Sequence, residues 1–121
     1  MYKLANVKSK SMTAKAFHDK MVAYIDEYQE HLLLVKPNDI ALFHCPILRE
    51  FVNYIYNHHL VSCIDQITVS MTNSKFHADF KRRNKEVVSK EKIKKILHDY
   101  FVYLNGKHGI KNEKMMRGLE K

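Results

Sequence analysis

No glycine occurs before position 106, and only two prolines, Pro37 and Pro46, interrupt this 121-residue chain. Hairpin turns call on residues that tolerate positive φ, and sandwiches or barrels need turn signals roughly every 8–12 residues. A chain this poor in turn residues is confined to long elements with few connections, which favours helices. Its length suits one domain with a modest core.

The apolar spacing agrees. Phe17, Met21, Tyr24, Ile25, Tyr28 and Leu32 recur at three- and four-residue steps, while Asp19, Asp26, Glu27 and Glu30 fall largely opposite. That is the pattern of a helix with one face on a core. Ser11 or Thr13 offers the side-chain oxygen that caps it, and Pro37-Asn38-Asp39 ends it. Residues 40–43 are apolar but too few to separate strand from helical turn. Pro46 is expected in the first turn of a second helix, where its missing N–H does no harm. Leu48, Phe51, Val52 and Ile55 are that helix's stripe.

Ile67, Val69 and Met71 then alternate with Thr68, Ser70 and Thr72. This period of two, rich in β-branched residues, predicts one short strand, with a helix as the second choice. Thr72-Asn73-Ser74 offers caps for a third helix with Phe76 and Phe80 inside. Ser89 caps a fourth, whose stripe is Ile93, Ile96, Leu97, Tyr100, Phe101 and Leu104, and Gly106 or Gly109 stops it. Residues 110–121 read as a basic tail or as a hairpin turning at Asn112-Glu113. The fold expected is mainly α, a single domain of about four helices with one or two short strands. The alternative is an α+β, winged-helix-like C-terminal half. Residues 1–10 read as a short edge strand or a frayed arm, and residues 1–10 and 107–121 are the candidates for flexible arms.

Charge is placed unevenly. Residues 1–73 carry 7 Lys+Arg against 7 Asp+Glu, and residues 74–121 carry 14 against 6, so the second segment supplies the whole net +8. A field so one-sided attracts phosphate or an acidic protein surface. The basic side chains concentrate on the third and fourth helices, residues 74–104. The contacts expected there are Lys75, Lys81, Arg82, Arg83, Asn84, Lys85, Lys90, Lys92, Lys94 and Lys95. Arginine forks onto phosphate or a guanine edge, lysine acts as a point charge, and Asn84 suits an adenine edge. Reversing Arg82 and Arg83 to Glu is expected to abolish binding without unfolding the domain.

Catalysis finds little footing. No glycine loop can cradle a nucleotide phosphate, and no serine or cysteine sits in a strand–turn–helix elbow. His44, Cys45, His58, His59 and Cys63 match no standard zinc spacing, so neither metal nor other cofactor is expected. Two cysteines are too few for a disulfide framework, no charged-then-apolar leader opens the chain, and no apolar run approaches the roughly 20 residues of a membrane span. The expectation is a cytoplasmic, non-enzymatic, nucleic-acid-binding protein that does not engage a membrane. DNA is favoured over RNA, with a role in transcription or replication control, and a homodimer is compatible with any of the helix stripes. The alternative is a protein-interaction module or inhibitor that docks its basic face on an acidic partner.

Overall fold

Thr13 accepts a hydrogen bond from the Ala16 N–H through Oγ1 (3.1 Å), fixing the start of the first helix as its sequence suggests. The computed structural model describes residues 13–84 and 88–120. Among the described residues five α-helices follow one another: α1 Ala14–Val35, α2 Asn38–His59, α3 Phe76–Arg83, α4 Lys90–His108 and α5 Glu113–Glu120. The mainly α fold is therefore as expected. The arm at residues 1–10 lies outside the described residues.

Helices α1 and α2 form an antiparallel hairpin turning at Lys36 and Pro37, and α4 lies against both. Tyr28 on α1 meets Tyr100 and Tyr103 on α4, and Phe51 on α2 packs edge-on against Phe101. Met21, Ile25, Ala41, Cys45, Leu48, Ile93 and Leu97 lie at 0% exposure in one continuous core. Tyr100 is buried with them, and its hydroxyl donates to the Met21 carbonyl at 3.1 Å, so the one polar atom of that ring is satisfied. Helix α3 runs back along α2, with Phe76 against Phe51 and Tyr54.

Five expectations are corrected. Pro46 lies inside α2, not in its first turn, because the helix already begins at Asn38. Proline is tolerated there because it is on the solvent side, where water can bond the carbonyl left without a donor.

The alternating run at Ile67 to Thr72 is not a strand. Ile64–Gln66 is a 3-10 turn, Val69 and Ser70 are already helical, and Met71–Lys75 form a π turn that leads directly into α3. Among the described residues there is no strand for it to pair with. The hydroxyls serve a helix start: Thr68 Oγ1 accepts from the Met71 N–H (3.3 Å), and Thr72 Oγ1 donates to the Val69 carbonyl (3.0 Å). Thr72, Asn73 and Ser74 are consequently within the helical path instead of capping it.

The C-terminal segment is neither hairpin nor flexible arm. Asn112 Oδ1 accepts from the Met115 N–H (3.1 Å), while its Nδ2 donates to the carbonyls of Ile64 and Ile67 (2.9 Å each). Asn112 thus caps α5 and ties it to the 3-10 turn. Lys107 and His108 belong to α4, which ends at Gly109 (φ 68°), a left-handed position suited to glycine. Met115 and Leu119 complete the core. With α5 where the wing would stand, the winged-helix alternative does not apply.

Candidate nucleic-acid interface

Helix α3 packs beside α2 through a charged cluster. Asp79 is 4% exposed. Its Oδ1 accepts from Arg82 Nη2 (2.7 Å) and its Oδ2 from Arg83 Nε (2.8 Å), one turn along the same helix. Arg83 Nη1 also reaches Glu50 on α2 (2.8 Å). Asn84 Nδ2 donates to that carboxylate (3.2 Å) and to the Phe80 carbonyl (2.9 Å). His58, in the last turn of α2, stands 3.8 Å from Asp79. Arg83 is therefore a strut between two helices, and Asn84 is engaged in the same junction. Arg82, with 69% of its side chain exposed, keeps free donors outward.

The lysines are placed differently. Lys75, Lys81, Lys90 and Lys92 are exposed and Lys94 is half-exposed. Among the described residues none of these five forms an ion pair, whereas Lys95 is paired with Asp99 at 3.0 Å. Lys85 lies outside the described residues. Ser89 Oγ accepts from the Lys92 N–H (3.1 Å) and so sets the start of α4, with Glu91 the one acid in that first turn. Cations at a helix N-terminus oppose the helix dipole. The start of α4 therefore concentrates positive potential from side chains and backbone together.

Helix α2 provides a scale. Burial, then the nearby charges of Lys75 and His58, hold the His59 imidazole below its ordinary pKa, which puts Lys75 beside the end of α2. Arg83 reaches Glu50, and the Lys92 ammonium sits 5.7 Å from the Phe43 ring centroid. The basic side chains thus succeed one another along sixteen residues of α2, about 24 Å at 1.5 Å per residue. Phosphates recur every 3.4 Å or so along one strand of a duplex, so a band of this length spans several.

Reversing Arg82 and Arg83 together would set two more carboxylates beside Asp79 and Glu50, four in all. The expectation that such a variant stays folded does not survive the geometry, and the lysines are the cleaner place to test binding.

The arginine ties to Asp79 follow from three- and four-residue spacing and were legible in the sequence. Glu50, over thirty residues away, gave no such signal. Cys45 is buried and Cys63 exposed. His59 Nε2 pairs with the Tyr54 hydroxyl (2.9 Å). Among the described residues no three His, Cys, Asp or Glu side chains converge as a metal site would require. On α1, Glu27 accepts from the Tyr103 hydroxyl and bonds His108 Nε2 at 2.7 Å, so this carboxylate joins α1 to the end of α4. Burial and the Glu27 carboxylate push the Tyr103 phenol up to about 12.

No helix among the described residues is long and apolar enough to cross a membrane. Comparison with protein-family models, with curated proteins and with solved structures gives no match.

Proposed function

We propose that this chain is a small nucleic-acid-binding protein, a binder and not an enzyme, that contacts the phosphates of duplex DNA through the exposed lysines of α3, α4 and the π turn. The observation that carries this reading is the state of Lys75, Lys81, Lys90, Lys92 and Lys94: open to solvent and without ion pairs among the described residues. A solvated surface with no partner is ordinarily laced with both signs of charge. Here two of the three carboxylates on the same helices, Asp79 and Asp99, are already taken up by Arg82, Arg83 and Lys95, which leaves Glu91 as the single exposed acid among these lysines. Regulation of transcription or replication in the cytoplasm is the role such a binder would fill.

The test is charge reversal where the fold does not depend on the charge. Lys90→Glu, Lys92→Glu and Lys94→Glu together are expected to weaken duplex binding at least a hundredfold in fluorescence anisotropy at low salt. The circular dichroism melt should move little. Unchanged affinity in a folded triple variant would overturn the reading.

A further inference from the structure

Where α1 and α2 meet at Lys36 and Pro37, apolar side chains stand in solvent. Val35 at the end of α1 is 56% exposed and Val102 on α4 is 50% exposed. Together with Ile40 they line an open groove of about 590 Å³, within the range of roughly 300–1,000 Å³ typical of ligand sites. Leu34, beside Val35, is more exposed still. Isolated exposed leucines and valines are unremarkable, but a group that walls one groove marks an interaction site.

Three observations bear on the occupant. Lys36 on the groove wall makes no ion pair among the described residues, while the other charges there, Lys95 and Asp99, cancel each other at 3.0 Å. Helix α2 begins beside the groove without a side-chain cap, Pro37 having none to offer, and with Asp39 in its first turn; the Ile40 N–H bonds the Pro37 carbonyl (3.0 Å), which leaves the N–H groups of Asn38 and Asp39 open to an acceptor. His44 also lines the groove, is 7% exposed, and its Nε2 has no hydrogen-bond partner. Lys36 and the open N–H groups are complemented by a carboxylate next to apolar side chains, and the His44 nitrogen marks a polar atom behind the groove wall that the fold leaves unmet.

We propose that this groove docks a short acidic, leucine-bearing helical segment of a partner protein, with its apolar side chains on Val35, Ile40 and Val102 and a carboxylate at Lys36. The open shape suits a segment laid across it better than an enclosed small molecule, and helix-in-groove recognition uses side chains at three- and four-residue spacing. None of the five lysines assigned to phosphate lines the groove, although Lys92, beside Phe43, stands near its His44 wall.

The test uses the whole chain, isotope-labelled, with two synthetic peptides as probes. Both carry leucines at three- and four-residue spacing, one flanked by glutamates and the other by lysines. The glutamate peptide should shift the amides of Val35, Ile40, His44 and Val102 saturably and bind at least tenfold tighter than the lysine peptide. Lys36→Glu, and separately Val35→Asn with Val102→Asn, should each weaken it at least fivefold with the thermal melt and DNA binding retained. Equal binding of the two peptides, shifts elsewhere, or no shift at millimolar peptide would overturn the proposal. So would groove shifts that grow with protein concentration alone, which would assign the face to a second copy of this chain.

Discussion

Asp79 shows how a single buried side chain organises its surroundings. Each carboxylate oxygen meets a guanidinium, and through Arg83 the pair extends to Glu50 on α2. Because Arg82 and Arg83 remain partly in water, the pairing is worth less than a fully enclosed one. Asp79→Asn keeps the shape and removes the charge, and should lower unfolding free energy in urea by about 1–2 kcal/mol. His44 is the opposite case, a buried ring with an unsatisfied nitrogen. Burial, helped by the Lys92 charge, depresses its pKa below the ordinary 6.5. Between 6.5 and that lower value the unfolded chain binds the proton more readily, so stability falls as the pH drops through this window. His44→Leu should therefore reduce the loss of stability between pH 7 and pH 5 by up to about 1 kcal/mol, read as the change in urea midpoint.

At the scale of elements, the long helices were legible and their junctions were not. The stripes of α1 and α4 lie in one continuous window each, so periodicity found them, and Thr13 and Ser89 announce their starts in adjacent residues. The region from Ile64 to Lys75 misled because alternation over six residues fits a strand equally well, and nothing local reveals that α5 packs on it. That docking is close: a Cβ at Gly118 would stand 2.6 Å from Val69 Cγ1. Gly118→Ala should destabilise by about 1 kcal/mol, the steric cost outweighing the gain in helix propensity. In a Val69→Ala background the same change should become neutral or stabilising, and the difference between the two urea midpoints measures the contact. The end of α2 offers another handle. Leu60 is exposed and held at φ 49°, its N–H closing onto the α2 carbonyls of Ile55 and Tyr56. A non-glycine residue in that region is strained by about 1 kcal/mol, so Leu60→Gly should raise the melting temperature by a few degrees.

For the molecule as a whole, charge was more legible than shape. The imbalance between residues 1–73 and 74–121 is written in the sequence, and the helices that carry it keep most of those cations in water. What the sequence concealed was the division of labour among them. Arg83 and Asn84 look like contact residues by composition, yet long-range pairing with Glu50 makes them part of the scaffold. The lysines lack such partners among the described residues, which is why the proposed phosphate contacts fall to them. The groove at the α1–α2 turn was equally hidden, since one of its walls is α4, far from that turn in sequence.

The central claim is that this basic band holds nucleic acid through phosphate contacts. The most direct measurement is the affinity for labelled duplex DNA, single-stranded DNA and RNA across a salt series. Each neutralised phosphate contributes a slope of about −0.9 in log affinity against log salt on a duplex. A band of this length should give a duplex slope equivalent to about 4–8 contacts, with the duplex preferred over both single strands at physiological salt. Weak binding that is indifferent to the three ligands, and gone at physiological salt, would contradict it and leave the lysines to an acidic protein surface.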